Sequence, residues 1–284
     1  MAIRSTDHGI LQRLGAFLLR RSAPRQTRLY CIGAPRSGTH SIAAIFDRSI
    51  RARHEPAFRS ATKAVLAHHR GLLSFDELRR FVRGRDERLR LDVDSSHVNV
   101  FLTDAILAEF ADARFVLTIR DCFSWLDSAM NHTLNSRQWS KADRQYLEFY
   151  FAAKDITYSP HDEFLREHGL SSIDCYLAAW SRHNNRALAS IPAERLLVVR
   201  TAEISERLLQ IAAFAGVPTE RIDPAFRARG RSRTSHGMLD RVDPAYLQDR
   251  VAEHCGALMS RFFPDVRSLR DARAIGSRIP ASPR

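Results

Sequence analysis

The stretch LYCIGAPRSGTHS, residues 29–41, decides the fold of this chain. Its first four residues are apolar and predict a buried strand, whereas the IAAIF segment that follows, residues 42–46, has the pattern of a buried helix. Gly33 and Gly38 bound the loop between them. Backbone N–H groups of a glycine loop at a helix N-terminus bind anions, because the helix dipole adds positive potential there. The stretch therefore predicts a phosphate-binding loop that joins a strand to a helix.

The residues of this loop differ from those of nucleoside triphosphatases. In those enzymes a Lys follows the second glycine, and the next residue is a hydroxyl that binds Mg²⁺. Here Thr39 and His40 occupy these two positions, and the cation is Arg36, two residues before Gly38. The loop therefore favours an anion site of another class. A plain glycine turn between a strand and a helix remains the alternative for the loop taken alone.

A second segment, RFVLTIRD at residues 114–121, predicts a buried strand with a polar end. The residues after it predict a helix, so Arg120 lies at the carboxyl edge of a strand and Ser128 lies about two helical turns further on. An arginine suits a phosphate because its planar guanidinium donates two parallel charge-assisted hydrogen bonds. Taken alone, Arg120 and Asp121 also fit a surface ion pair.

Together the two segments resemble the cofactor-binding motifs of the sulfotransferase superfamily, including its bacterial and tyrosylprotein-type members, across residues 28–262. That family uses 3′-phosphoadenosine 5′-phosphosulfate (PAPS) as sulfuryl donor, releases PAP, and requires no catalytic metal. The resemblance implies that Arg120 and Ser128 hold the 3′-phosphate. It also implies that the 5′-phosphosulfate binds at the loop residues Pro35, Arg36, Ser37, Gly38, Thr39, His40 and Ser41.

The segment RARGRSRTSHG, residues 227–237, combines arginines with glycines and hydroxyl residues. In position and charge, though not in its letters, it resembles the Arg-Lys-Gly loop with which cytosolic sulfotransferases close over the 3′-phosphate. The resemblance adds Arg229, Arg231 and Arg233 to the expected cofactor site. A solvated basic linker is an equally consistent interpretation of this composition.

Sulfuryl transfer needs a base for the acceptor and positive groups around the sulfuryl oxygens. Arg36 is the expected charge stabiliser, and the segment RARHEP at residues 51–56 supplies two candidate bases. Tyrosylprotein-type sulfotransferases have a catalytic Glu at the position that Glu55 occupies here. Beside Arg53, this carboxylate is expected to stay ionised at neutral pH. His54 is the competing base, because an unperturbed imidazole titrates in the useful range.

The segment LDVDSSH, residues 91–97, ends a further predicted strand at the same edge. Cytosolic sulfotransferases have their catalytic His after a comparable strand, which makes His97 another candidate base. Their surrounding Lys-Thr-His pattern is missing from this chain. Alternatively, Ser95 or Ser96 caps a helix that begins near Val98, and His97 is only a residue of its first turn.

Strand and helix patterns alternate along the rest of the chain. The alternation predicts an α/β fold in which helices cover both faces of a mainly parallel central sheet. We expect a single domain over residues 28–284, preceded by a basic extension at residues 1–27. The predicted strands are residues 28–33, 51–54, 89–93, 114–119 and 195–199, and the predicted helices are residues 39–49, 98–110, 123–131, 172–190, 204–215 and 244–261.

The 284 residues carry a formal net charge of +12, with 41 Arg and only 3 Lys. This balance favours an anionic partner through long-range steering. The arginines are scattered and do not alternate with aromatic residues, which argues against nucleic acid. Four widely spaced cysteines argue against a metal or disulfide framework and fit a reducing cytoplasm. Residues 10–21 predict a basic amphipathic helix, which contacts an anionic membrane surface, packs on the domain or forms a mobile arm.

The expected function is therefore a PAPS-dependent sulfotransferase that acts on a hydroxyl or amine of a small-molecule, lipid or glycan acceptor by in-line, metal-independent transfer. Two other classes stay open. A P-loop kinase or nucleotide hydrolase is opposed by Thr39 and His40, which stand at the Lys and Mg²⁺ positions. A noncatalytic protein that binds polyanions is consistent with the net charge alone.

Overall fold

Five short strands form one fully parallel sheet in the computed structural model, which describes residues 24–136, 140–152, 156–226 and 235–277. The strands are β1 (Leu29–Cys31), β2 (Ala52–His54), β3 (Val93–Ser95), β4 (Arg114–Ile119) and β5 (Leu196–Arg200). Their order across the sheet is β2-β3-β1-β4-β5. Parallel neighbours need long crossover connections, and helices supply most of them here.

Eleven α-helices lie within the described ranges. They are α1 (Thr39–Phe46), α2 (Phe58–His69), α3 (Phe75–Leu89), α4 (Thr103–Glu109), α5 (Cys122–Asn135), α6 (Lys141–Phe151), α7 (Phe164–Glu167), α8 (Ile173–Ser190), α9 (Leu208–Ala215), α10 (Pro244–Phe262) and α11 (Leu269–Ser277). No helix among the described residues has both the length and the apolar composition needed to cross a membrane.

Alternate residues of the central strands face opposite sides of the sheet, as a pleated backbone requires. Leu29 and Cys31 of β1 join Val116 of β4 in a core with α1 and α9. Tyr30 and Phe115 join the core on the other face, with α2, α3, α4, α6 and α8. A third cluster includes α5, α8, α10 and α11. The central strands are buried on both faces, so the predicted α/β fold with a parallel sheet is confirmed.

The carboxyl ends of the three central strands form the crevice of the molecule. After β1 the chain builds β2 and β3 on one side, and it then crosses to build β4 and β5 on the other. Ligands of open parallel sheets bind at such a reversal of strand order. The loops that leave β1, β3 and β4 at this edge contain Arg36, His97 and Arg120. The fold therefore brings the predicted motifs to one place.

Strand β2 is separated from β1 by β3, since His54 pairs with Ser95 of β3. Its nearness to the glycine loop comes from α1, the helix that begins at the end of that loop. The Thr39 hydroxyl, in the first residue of α1, lies 3.1 Å from His54 Nε2. The carboxyl end of β2 therefore belongs to the same crevice, although β2 is an edge strand.

Strand β4 covers the predicted residues 114–119, but the strand predicted at residues 89–93 is wrong. Helix α3 continues through Leu89, and β3 begins only at Val93. The start of α3 has a capping box, in which the Ser74 amide donates to Glu77 Oε2 at 2.8 Å and the Glu77 amide donates to Ser74 Oγ at 3.3 Å. This signal was in the sequence and identifies the helix.

Other predicted elements differ at their ends. The helix predicted at residues 98–110 is a 3₁₀ turn, His97–Phe101, followed by α4. The helix predicted at residues 204–215 starts later, as α9. The extension at residues 1–27 lies mostly outside the described residues, as does all of the predicted amphipathic segment at residues 10–21. Its separation from the domain stays a prediction.

Candidate active site

The glycine loop passes close to β4 as it leaves β1. A Cβ atom on Gly33 would lie 1.9 Å from Thr118 Oγ1 and 2.5 Å from Ser37 Oγ, so only glycine fits this path. The Ser37 amide and hydroxyl both donate to the Ala34 carbonyl, at 3.1 and 2.6 Å. The loop is thus folded tightly on itself before α1 begins.

Two side chains that the sequence reasoning missed hold this loop from neighbouring elements. The indole N–H of Trp125, on α5, donates to the Pro35 carbonyl at 2.7 Å. The Thr201 hydroxyl, just after β5, donates to the carbonyls of Ser37 at 2.5 Å and Ile119 at 3.1 Å. Trp125 has the pattern of an ordinary core residue and Thr201 belongs to no motif. Neither role leaves a signal in the sequence.

The residues predicted to bind the 5′-phosphosulfate and the 3′-phosphate lie next to each other. Arg36 Nε donates to Ser128 Oγ at 3.3 Å, and Arg120 Nη1 donates to the Arg36 carbonyl at 3.3 Å. Arg36 has a left-handed backbone, with φ of +68°. Residues other than glycine rarely adopt this conformation, and when they do the position is often functional. The glycine loop and the strand-end motif therefore form one site.

The charges of the two arginines are held differently. Partial burial alone lowers the pKa of Arg36, and no carboxylate of the described residues contributes to that shift. A partly desolvated cation without a nearby anion favours an anionic ligand. Arg120 Nε instead donates to Ser124 Oγ at 2.8 Å. Asp121 caps α5 by accepting the Ser124 amide at 2.8 Å, which is a structural role for this carboxylate.

The first turn of α1 lies at the centre of the crevice. Helix geometry leaves the first N–H groups without intrahelical acceptors. Thr39 and Ser41 are buried, whereas His40 is exposed and places its ring 5.2 Å from the His54 ring in an edge contact. Ser95 Oγ donates to the Thr39 carbonyl at 2.6 Å, which ties α1 to the end of β3. This turn thus brings its amides, the hydroxyls of Thr39 and Ser41 and the His40 ring to the end of the glycine loop that contains Arg36.

The three candidate bases meet at the end of β2. His97 Nδ1 donates to Glu55 Oε1 at 2.8 Å, and His54 Nε2 lies 4.0 Å from the same oxygen. The Glu55 amide donates to the Ser95 carbonyl at 2.8 Å. Ser96 does cap the turn that begins at His97, by accepting the Val98 amide at 3.4 Å. The capping alternative and the contact with Glu55 therefore hold together.

Exposure separates the members of this group. The Glu55 side chain is 33% exposed and that of His54 is 29% exposed, whereas His97 is only 8% exposed. The rings of His97, Phe58 and Tyr146 pack against one another, with centroids 5.6–5.7 Å apart. Glu55 is consequently accessible to a ligand, and His97 is its buried partner.

The histidines, and not Arg53, keep Glu55 ionised. Burial opposes ionisation, but the His97 hydrogen bond and charge, together with the charges of His54 and His132, outweigh it and lower the pKa of Glu55. Arg53 is exposed on β2, so the expected partner was wrong. Desolvation lowers the pKa of both His54 and His132. His132, on α5, is a further residue of the site that sequence reasoning missed.

The comparison with known proteins identifies the family. A family model described as a sulfotransferase domain matches residues 28–219, which is more than half of the chain. The chain belongs to the sulfotransferase family. No curated protein matches the sequence of this sulfotransferase.

The solved structures that match this chain include three sulfotransferases or sulfotransferase domains. The sulfotransferase from Alicyclobacillus acidocaldarius has a TM-score of 0.49 and 16% identity, over 87% of this chain and 99% of that chain. Sulfotransferase STF9 from Mycobacterium avium has a TM-score of 0.42 and 15% identity, over 89% of this chain and 81% of that chain. The sulfotransferase domain from the curacin biosynthetic pathway has a TM-score of 0.41 and 12% identity, over 92% of this chain and 99% of that chain.

In this sulfotransferase, side chains of helix α8 hold the backbone at the carboxyl ends of β1 and β4. The indole N–H of Trp180 donates to the Arg120 carbonyl at 3.0 Å. His183 Nε2 donates to the Ile32 carbonyl at 2.7 Å, and its Nδ1 lies 3.2 Å from the Tyr150 hydroxyl. Burial lowers the pKa of His183 to about 3, so the ring is neutral. Both side chains are buried supports of the backbone that carries the site.

The predicted cofactor residues Arg229, Arg231 and Arg233 lie outside the described residues. The described chain resumes at residue 235, and the His236 amide donates to Asn131 Oδ1 at 2.8 Å. Asn131 lies on α5, one turn after Ser128. The end of the basic segment is therefore anchored on the helix that carries part of the site.

Proposed function

We propose that this sulfotransferase transfers the sulfuryl group of PAPS to a hydroxyl or amine of a small-molecule, lipid or carbohydrate acceptor. The observation that carries the proposal is the convergence of Arg36, Arg120 and Ser128 at the start of α1. An ionised and accessible carboxylate, that of Glu55, lies at the same sheet edge. Anion donors and a base therefore share one crevice.

The donor set suits the chemistry of PAPS. Helix α1 offers its first-turn amides and dipole, and Arg36 and the Thr39 hydroxyl add side-chain donors for the 5′-phosphosulfate. Arg120 and Ser128 form a second set of donors for the 3′-phosphate. PAPS has anionic groups on both the 3′ and the 5′ oxygen of one ribose, so it needs two such sets. The other loop residues, Pro35, Ser37, Gly38, His40 and Ser41, are proposed to complete the binding site of the 5′-phosphosulfate.

When bound, PAPS supplies an activated sulfuryl group on a phosphate leaving group. In the proposed mechanism Arg36 stabilises the negative charge that develops at the bridging oxygen. Glu55 accepts the proton of the acceptor hydroxyl or amine. His97 holds Glu55 through its Nδ1–H, and His54 holds the Thr39 hydroxyl. These contacts position the reacting groups for an in-line displacement.

Glu55 is the proposed base because it is the accessible member of the group. His97 is buried among aromatic rings, so an acceptor has little access to it. His54 already shares its Nε2 with Thr39. Both histidines are therefore assigned to orienting the base and the loop.

Two further predictions are part of the proposal. Arg229, Arg231 and Arg233 are proposed to close over the 3′-phosphate, and the anchoring of the following His236 on α5 supports this. The proposed compartment is the cytoplasm, because all four cysteines are free thiols. Peripheral membrane contact through residues 10–21 remains a prediction.

Calorimetry with three ligands tests the proposed function. Submillimolar binding of PAP in the presence of a chelator is the expected result. ATP binding that depends on Mg²⁺ would instead indicate a kinase or nucleotide hydrolase. Binding of heparin or nucleic acid alone, weakened by salt, would indicate a noncatalytic polyanion-binding protein. Incubation with ³⁵S-labelled PAPS and pools of lipids, glycans and small alcohols then identifies the acceptor.

A further inference from the structure

A buried ionic network lies behind the Glu55–His97 pair and belongs to neither motif. Arg85, on α3, pairs with Asp94 on β3, and the two residues are only 5% and 6% exposed. Asn99 Nδ2 donates to Asp94 Oδ1 at 2.9 Å and to the Asp94 carbonyl at 3.2 Å. Asn99 is fully buried. The network thus joins a helix, a strand and the 3₁₀ turn that follows the strand.

The arginine end of this network holds the backbone next to Glu55. Arg85 Nη2 donates to the Pro56 carbonyl at 2.9 Å. The residues on either side of Pro56 both have left-handed backbones, with φ of +50° at Glu55 and +54° at Ala57. Such conformations persist in non-glycine residues only where the surroundings enforce them. Arg85 supplies a buried, charge-assisted contact at the centre of this strained segment.

The amide end of the network holds the backbone next to His97. Asn99 lies two residues after His97 in the same 3₁₀ turn, His97–Phe101. Asp94 therefore connects through Arg85 to the Glu55 segment, and through Asn99 to the turn that carries His97. Both partners of the Glu55–His97 hydrogen bond are tied to one buried carboxylate.

Stability alone does not explain the network. A buried ion pair is often no more stabilising than apolar side chains of similar size. Here Arg85 Nε and Asn99 Oδ1 are buried without hydrogen-bond partners, which makes the arrangement more costly still. The feature that an apolar replacement could not reproduce is the link between the two backbone segments.

We infer that Arg85, Asp94 and Asn99 are positioning residues, which hold Glu55 and His97 at the distance that the transfer requires. The inference rests on the proposed function, in which Glu55 is the base. A displacement of about 1 Å in a catalytic group lowers the rate by about 10²-fold. Loosening the network should therefore reduce kcat without weakening PAP binding, because the hydrogen bonds that join the three residues lead to the backbone next to Glu55 and His97 and not to the glycine loop.

The chain offers a matched control at the amino ends of β2 and β3, opposite the ends that carry the site. Arg51 Nε donates to Asp92 Oδ2 at 2.8 Å, and their side chains are only 10% and 3% exposed. This pair precedes β2 and β3, whereas Arg85 and Asp94 lie toward the ends that carry the site. Arg51→Lys and Arg85→Lys each replace the planar guanidinium of a buried ion pair by an ammonium group. The Arg51–Asp92 pair is remote from the crevice, and the Arg85–Asp94 pair is not.

The test measures kcat, the Kd for PAP and the urea midpoint of both variants. Arg85→Lys is expected to lower kcat by about 10-fold, and by at most the 10²-fold expected for loss of the base itself, with the Kd for PAP within about twofold of wild type. Arg51→Lys is expected to lose similar stability with unchanged kcat. Equal kcat losses in the two variants, or no loss in Arg85→Lys, would overturn the inference. If Arg85→Lys does not fold, Arg85→Met combined with Asp94→Leu removes both charges, and the same comparison applies.

An NMR titration of Glu55 separates this inference from the proposed function. Absence of sulfuryl transfer in the wild-type protein would defeat the proposed function, whatever the network does. The ¹³C-carboxyl titration needs no turnover. It reports on the Glu55–His97 contact directly, because the His97 hydrogen bond helps to lower the pKa of Glu55. A higher Glu55 pKa in Arg85→Lys, but not in Arg51→Lys, is the expected result. An unchanged pKa in both variants would overturn the network's positioning role.

Discussion

Replacement of Glu55 by glutamine tests the proposed base with little change of shape. The amide oxygen of Gln can still accept the hydrogen bond that His97 Nδ1 donates at 2.8 Å. The side chain is partly exposed, so we expect stability to change by less than about 1 kcal/mol. The variant therefore removes the proton acceptor and leaves the architecture in place.

The structure also limits the size of the effect. General base catalysis contributes about 10²- to 10⁴-fold, and a base with a pKa far below the operating pH is among the weaker ones. The histidine neighbours lower the pKa of Glu55. The rate contribution of Glu55 therefore belongs in the lower part of the 10²- to 10⁴-fold range. We therefore expect kcat to fall by about 10²-fold, equal to about 2.7 kcal/mol in the barrier.

The assay is transfer of ³⁵S from PAPS to the acceptor found in the screen, with the Kd for PAP measured by calorimetry. We expect Glu55→Gln to bind PAP within about twofold of wild type, because Glu55 contacts β3 and His97 and not the glycine loop. Glu253→Gln, on α10, where the side chain is exposed and pairs with Arg250, is the control and should keep full activity. A wild-type kcat in Glu55→Gln would refute the role of this carboxylate and move the base to His97 or His54.

Two further predictions concern the supports of the site. Trp125→Phe removes the donor to the Pro35 carbonyl. Urea titration should show a loss of about 1–3 kcal/mol in unfolding free energy, and calorimetry should show weaker PAP binding. Unchanged PAP affinity would contradict this prediction. Burial lowers the pKa of His183 to about 3, so the unfolded chain binds a proton first as pH falls below about 6.5, and stability is lost. His183→Gln should therefore lose about 2 kcal/mol less than wild type between pH 7.5 and 5, and equal losses would contradict the assignment.

The sequence could predict the parts of this protein that depend on local patterns. The glycine loop and the strand that ends before Arg120 carry strong short-range signals, so their structure and their position at one sheet edge were predictable. The capping box at Ser74 was also readable, and overlooking it moved a predicted strand onto the end of α3. Local errors of this kind did not change the fold.

The rest depended on contacts between distant residues. Trp125 binds a carbonyl 90 residues earlier in the chain, and Arg85 binds one 29 residues earlier. His132 approaches Glu55 only because α5 packs beside the crevice. Arg53 was predicted to keep Glu55 ionised because it is close in sequence, but β2 ends at His54 and the left-handed backbone of Glu55, with φ of +50°, breaks the strand pattern between them. Such relationships follow from tertiary packing and leave no periodicity in the sequence.

The most direct test of the account compares PAP with adenosine 5′-phosphosulfate, which lacks the 3′-phosphate, as ligands of Arg120→Met. Charge-assisted hydrogen bonds contribute about 1.5–3 kcal/mol, so affinity for PAP should fall about 10- to 100-fold, while affinity for adenosine 5′-phosphosulfate changes less than about threefold. Arg114→Met, at the opposite end of β4, removes the same charge and should leave both affinities unchanged. Equal losses of affinity for the two ligands in Arg120→Met, or no loss of affinity for PAP, would contradict the claim that one crevice binds both the 3′-phosphate and the 5′-phosphosulfate of PAPS.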